Sequence, residues 1–471
     1  MRSKQLDSKR EESNMVASIK RFFEHQFGSR LFSAGAFFGI LFPIIADQFF
    51  LHLMNVLTTA MISSSSQESV SAVSLCGSLS WFFQTLFLCV GSGCAIVVAQ
   101  FKGRRDEERT RKTAGQSLLI AFTISASVMA IICIFAPLLV DTIYASAELI
   151  IRDKIKEYLI GQSLTFITYA LYHASFCVLS GMGYSKTCFR LTVIINFSNF
   201  AFSFVFLNLL HLDILGSILA LAIARALGAA VAVIELFKKN GHLGLTMSDV
   251  IKPDGKLIKL IIKMGVPFAS ENVLASVGGI ISQMYLVTLG STAIAANAIT
   301  NSMLNVFVAS GNAVASMTVT IVGQCVGAGD IGLAKRYAKR LVWLGTAAST
   351  LSVAVLLPLS PYLLTLYSPQ PETVPLIYPI LFIICGFQLV FWAGSAVMPY
   401  TLRAAGDVNY TTVVSMICMW IRIGLGYLLA IPFGLGLNGV WIAFGTEWAI
   451  RAVIFRIRFK GTKWYSNKLG I

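Results

Sequence analysis

The chain has 471 residues, 56% of them hydrophobic and only 13% charged, with a net charge of +15. A soluble domain carries about 25% charged residues, so this chain has too little charge to cover a water-facing globule. Its lysines and arginines cluster in loops between apolar runs, which argues against nucleic acid as a partner and reads instead as a membrane-orientation signal.

Residues 1–30 form a polar, mixed-charge tail without an apolar core, so no signal peptide is expected and the first apolar run directs insertion. A membrane-spanning helix needs about 20 apolar residues. Twelve runs meet that length, at 31–62, 70–98, 113–140, 157–181, 188–210, 214–236, 265–289, 292–325, 339–366, 374–402, 408–432 and 435–457. Helices are the expected form, because they satisfy apolar backbone within lipid. The longest connection, 237–264, contains KPDGKLIKLIIKMG, whose apolar and basic residues alternate at helical spacing. It predicts an interfacial helix joining two halves. Residues 458–471 form a second tail. Cys89, Cys94, Cys133, Cys177, Cys385 and Cys418 lie inside apolar runs and show no ligand-like spacing, which fits small packing residues.

Basic residues set the orientation. They occur in the first tail (Lys9, Arg10, Lys20, Arg21, Arg30), after span 2 (Lys102 to Lys112), after span 6 (Lys238, Lys239, Lys252, Lys256, Lys259, Lys263), after span 8 (Lys335, Arg336, Lys339, Arg340) and at the C-terminus (Arg456, Arg458, Lys460, Lys463, Lys468). Of the opposite loops only the one after span 3 is basic, and acids balance it. Both termini of a multi-pass protein of the plasma or inner membrane are therefore expected on the cytoplasmic side.

The halves repeat. An offset of 224 relates Pro43 to Pro267, Asp47 to Glu271, Gln100 to Gln324, Gly103 to Gly327, Asp106 to Asp330 and Lys112 to Arg336. An offset of 223 then pairs Gly183 with Gly406 and Gly216 with Gly439. Six spans return the chain to its starting side, so both units insert alike. The expected fold is an all-α membrane protein of twelve helices, with an N-lobe (31–236) and a C-lobe (265–457) related by a pseudo-twofold axis along the membrane normal. The loop glycines are expected to permit tight helix exits and the aspartates to cap the next helices.

The segments VVAQFKGRRDEERTRKTA and TIVGQCVGAGDIGLAKRYA resemble the paired span-2 and span-8 signatures of the multidrug and toxic compound extrusion family. GVPFASENVLASVGGIISQ and STAIAANAITNSMLNV are similar to the seventh and eighth spans of its bacterial branch, LRAAGDVNYTTVV to its tenth-to-eleventh junction, and GVWIAFGTEWAIRAVIFRIRFKGTKW to its last span. The likeness covers residues 31–464. It implies two lobes meeting in a V-shaped cleft, and export of organic, often cationic, small molecules in exchange for protons or sodium ions, with no other cofactor. Membrane lipids are the surrounding partner, and a monomer is expected.

Glu271 is the leading ion-coupling candidate. It lies one turn after Pro267 inside an apolar helix, where a charged carboxylate costs about 2.5–3.5 kcal/mol unless it is protonated, paired or facing water. Pro267 leaves a carbonyl of the preceding turn without its donor. The alternative is a structural polar core with Asn272 and Gln283. Asp47, the repeat mate, poses the same choice, and the resemblance implies that its position is often Glu or Gln. The resemblance also implies an acid where Thr58 stands, and an acid four residues after an Asn where Asn199 and Ser203 stand. Both acids are missing here, so coupling is expected to rest on Glu271 and Asp47, unless it has been lost.

Asn297, Asn301 and Asn305 recur every four residues and form one polar stripe. It reads as a cavity wall or as inter-helix hydrogen bonding. Asn199, Asn272, Gln283 and Gln388 join the expected cavity, with Trp81 and Phe82 as ring faces for flat cations. Glu447 and Arg451 have the spacing of an intrahelical ion pair. Arg422 is expected to stabilise its lobe, and Arg225 lies in span 6.

Nothing matches the phosphate-cradling GxxxxGK[ST] loop, which argues against ATP hydrolysis. The five histidines are scattered without a nucleophile–base or ligand pair, which argues against an enzyme. A lipid-linked precursor flippase of related fold and a transporter-like receptor or scaffold without ion coupling remain alternatives. Substitution Glu271→Gln is expected to stop ion-driven efflux without unfolding the protein, measured in proteoliposomes under a proton or a sodium gradient.

Overall fold

Long runs with few polar side chains leave the backbone to satisfy itself, and among the described residues the elements are helical, with no strand. The computed structural model describes residue 24 and residues 28–62, 67–144, 148–238, 243–365, 367 and 369–466. Most of the N-terminal tail, with Lys9, Arg10, Lys20, Arg21 and His25, lies outside them, as do Lys239, His242 and Lys468.

The first half comprises α1 (Ala34–Ile62), α2 (Gln67–Gly103), α3 (Glu107–Ile143), α4 (Leu149–Leu164), α5 (Phe166–Met182), α6 (Ser185–Ser203, continued by a π turn to Leu209) and α7 (Asp213–Phe237). A short α8 (Met247–Ile251) leads to the second half. There follow α9 (Gly255–Val287), α10 (Ser291–Gly327), α11 (Ile331–Leu356), α12 (Ser360–Thr365), α13 (Val374–Phe387), a π turn to Trp392, α14 (Ala393–Ala404), α15 (Val408–Ala430), α16 (Gly436–Lys460) and α17 (Lys463–Ser466).

Among the described residues nine helical segments are long and apolar enough to cross a bilayer, or ten when α4 and α5, bent by 47° at Thr165, count as one span. The expected spans 9 and 12 fall on α11 and α16. These are long enough but carry Lys335 to Arg340 at one end and Glu447, Arg451 and Arg456 along the other helix.

Two expectations change. KLIKLIIKMG is not a separate interfacial helix, because α9 runs unbroken from Gly255 through Pro267 to Val287. Its apolar positions Leu257, Leu260 and Met264 are buried against Ile96, Val97 and Phe101 of α2, which draws this segment into the bundle. Likewise the last span continues through Lys460, and Trp464 of the expected tail is fully buried, its indole N–H donating to the Phe459 carbonyl.

Each half has its own apolar core, and the second also takes in Phe32, Phe37 and Leu41 around the start of α1. The halves meet along α2, which lies against the first part of α9 and crosses α10 near the C-terminal ends of both. A Cβ on Gly103 would lie 2.0 Å from the Gln324 carbonyl oxygen, and one on Gly327 would lie 2.0 Å from that of Gln100. These glycines therefore serve close helix approach, and the turn itself is made downstream by Arg105 and Gly329, both with positive φ. The side chains repeat the symmetry. Gln100 Nε2 donates to the Ala404 carbonyl (2.7 Å) and Gln324 Nε2 to that of Gly181 (3.2 Å), which are mates at the two offsets. Asp106 accepts from the Arg109 N–H and Asp330 from the Leu333 N–H, as the capping expectation required.

This crossing sits at the end that gathers the basic segments. Arg111 pairs with Asp249 at 2.9 Å, Tyr337 donates to Ser29, and Lys335 lies over the Tyr465 ring. Among the described residues every hydrogen bond between the two lobes lies in this half of the bundle.

Gly103→Ala and Gly327→Ala should each cost at least about 1–3 kcal/mol, because the added methyl meets backbone that cannot swing away. Thermal unfolding in detergent should show a lowered midpoint for both, and an unchanged or raised one for Gly39→Ala, whose Cβ would meet open space.

Candidate functional site

A guanidinium or carboxylate withdrawn from water needs an opposite charge with its remaining hydrogen bonds satisfied. The C-lobe answers this with a chain of five side chains from four helices. Arg403 on α14 donates through Nη2 to Glu271 Oε2 on α9. Arg451 on α16 approaches Glu271 Oε1 at 3.8 Å and donates to Glu447 Oε1 at 3.2 Å. Glu447 Oε2 in turn accepts from Arg422 Nη1 on α15 at 3.0 Å. Arg403 is almost fully buried. Its Nε donates to Thr411, and its plane lies over the rings of Phe268 and Tyr400. Two carboxylates thus serve three guanidiniums, and the cluster keeps one positive charge in excess. The Arg403 side chain is 5% exposed and that of Glu271 20%.

Two cavities adjoin this chain. One of about 250 Å³ lies between the lobes, lined by Ser92, His173 and Ser180 from the first and Phe268, Thr320 and Arg403 from the second. The other, about 550 Å³, lies within the C-lobe between α9, α10, α15 and α16. Gln283, Asn297 and Asn301 line it together with Arg422, Trp441 and Phe444.

The first lobe holds Asp47, one turn after Pro43 on α1 and 6% exposed. Thr192 of α6 lies beside its carboxyl, and its Oδ1 has no partner among the described residues. Arg225 reaches from α7 to the α4–α5 bend, donating to Thr165 Oγ1 at 2.6 Å and lying over the Tyr169 ring.

The structure therefore unites some expected site residues and separates others. Gln283, Asn297 and Asn301 share one cavity, and Asn301 Nδ2 also donates to the Asn297 carbonyl. Asn305, farther along the same stripe, is exposed. Asn272 donates to the Phe268 carbonyl of its own helix, so the partners of Glu271 are Arg403 and Arg451, not Asn272 or Gln283. Gln388 is buried on the π turn, donating to the Phe307 carbonyl. Trp81 and Phe82 are exposed, Asn199 is half-buried and Ser203 buried on α6, and none of the four lines either cavity. Thr58, where an acid was expected, is half-buried on α1. The Glu447–Arg451 pair forms as its spacing predicts, and Arg422 ties α15 to α16. Arg403 was missed. An arginine at the end of an apolar run was the available signal, but nothing local joins it to a glutamate 132 residues away.

The MatE family model matches residues 43–205 and again 267–428, one copy in each half. The chain belongs to the MatE (multidrug and toxic compound extrusion) family. It is 26% identical over 438 residues to the uncharacterized transporter YisQ of Bacillus subtilis (strain 168), covering 91% of this chain and 94% of that one. It is 22% identical to the probable multidrug resistance protein NorM of Thermotoga maritima, covering 90% of this chain and 91% of that one. A MOP superfamily transporter from Pyrococcus furiosus, for which reversed polarity of the binding pocket is said to suggest a different function, shares the fold. Its TM-score is 0.83 at 17% identity, over 91% of this chain and 96% of that one. As a MatE protein the chain is a helical transporter of the multidrug efflux type.

The ion-pair chain revises the expectation that Glu271→Gln leaves the fold untouched. Removing one partner of a buried pair costs up to about 3–5 kcal/mol, because the other charge stays behind. Melting in detergent should place Glu271→Gln well below the parent, with most of the loss recovered in the Glu271→Met/Arg403→Met double variant. Additive losses would show that the two residues are not coupled.

Proposed function

We propose that this MatE protein exports small organic molecules across the cell membrane by alternating access of its two lobes, driven by proton uptake at Asp47. The observation that carries the reading is the placement of the contacts. Among the described residues, hydrogen bonding between the lobes is confined to the end holding the basic loops. With that end cytoplasmic, the orientation that the distribution of Lys and Arg supports, the lobes are locked inside and the cavities belong to an outward-facing state. Unlocking the α2–α10 crossing and engaging the opposite halves would present the cleft to the cytoplasm.

Asp47 suits the coupling role better than Glu271. A cation approaching Glu271 meets Arg403 and Arg451 at close range, and like charges in a poorly solvated interior repel strongly. Asp47 has a carboxylate oxygen with no partner in a buried setting, and such an oxygen is costly as part of an anion. Proton uptake removes that cost and alters how α1 packs on α6 at Thr192. Glu271 then holds the C-lobe rigid around its arginines. The arginine surplus also argues against a preference for cations.

In proteoliposomes, Asp47→Asn should reduce proton-driven efflux at least tenfold while leaving substrate binding within twofold. A sodium gradient should drive neither protein. Wild-type efflux by Asp47→Asn under a proton gradient would sink this assignment.

A further inference from the structure

The 550 Å³ C-lobe cavity is of the size that takes a drug-sized organic molecule. Its wall has a distinct chemistry. Arg422 is a donor-only cation, Gln283, Asn297 and Asn301 are adaptable amides, and Trp441 and Phe444 are ring faces. No Asp or Glu is among its lining residues. Glu447, which accepts from Arg422, is 4% exposed and also serves Arg451, so it only partly offsets the arginine. Arg422 lies 5.0 Å from the centre of the Phe444 ring, and Phe444 meets Trp441 edge to face at 5.6 Å. A flat apolar body therefore has a shelf beside the charge.

We propose that this cavity binds organic anions with a planar aromatic body, the acidic group on Arg422 and the ring against Phe444 and Trp441. The excess positive charge of the Arg403–Glu271–Arg451–Glu447–Arg422 chain adds to the attraction, since partly desolvated walls weaken its screening. A cation of the same shape would face Arg422 without an acid to replace its hydration. The inference rests on the exporter reading for its physiological meaning, but the site itself does not require transport.

The test uses 2-naphthoate and 2-naphthyltrimethylammonium, which share a ring and differ in charge, titrated calorimetrically into the full chain in nanodiscs. The parent should bind the naphthoate at least tenfold more tightly. Arg422→Lys should keep the preference and Arg422→Gln should remove it. Asn301→Asp places an acid in the wall without touching the ion pairs, and should reverse the preference. If Arg422→Gln does not fold, Asn301→Asp decides. Equal or tighter binding of the ammonium probe by the parent, binding of neither probe, or a preference unmoved by Asn301→Asp would overturn the proposal. Proteoliposome efflux separates the two readings. Export of the ammonium probe alone overturns the anion site and leaves the exporter standing, whereas tight naphthoate binding without export of either probe supports the site and overturns the exporter.

Discussion

The crossing of α2 and α10 joins the two lobes backbone to backbone. Two glycines, Gly103 and Gly327, let each helix place its backbone against the carbonyl of the other's glutamine. That contact is self-complementary about the pseudo-twofold axis, because each member is the repeat mate of its opposite number. Gln100 and Gln324 then extend it to the ends of α14 and α5. With the lobes pinned at one end, the smaller cavity lies between them beside that contact, and the larger one lies within the C-lobe.

Charge within the lobes obeys a second constraint. Helices packed in lipid supply little water, so an ionised group must find its partner on a neighbouring helix. Arg403 satisfies its fork with Glu271, Thr411 and two aromatic faces. Arg422, Glu447 and Arg451 continue the chain across α15 and α16. The five groups brace the C-lobe helices against one another, and the odd arginine leaves the lobe electropositive. The first lobe is built differently, with a carboxylate oxygen of Asp47 unpartnered among the described residues and Arg225 pinned to the α4–α5 bend. Such a contrast underlies the proposed division of labour, with proton uptake in the first lobe and cargo binding in the second.

Several of these features were legible in the sequence. Asp106 and Asp330 read as helix caps because capping is local, acting across three residues. The Glu447–Arg451 pair was legible for the same reason. Other readings failed where the decisive partner was distant. Gly103 looked like a turn glycine until α10 was seen lying across it. KLIKLIIKMG looked interfacial because its period is amphipathic, and only the α2 face formed by Ile96, Val97 and Phe101 shows that its apolar side is covered by protein.

Linear pattern alone determined the membrane class and the duplication with its two offsets. Each depends on composition, on local periodicity or on register along one chain. Tertiary structure decided which groups meet: Glu271 with Arg403 rather than with the neighbouring Asn272, Gln283 with Asn297 and Arg422 around a cavity, and Asn305 outside it. Helix rotation and depth select these pairs, and both are set by packing between helices that are far apart in sequence. No spacing within a single helix encodes them.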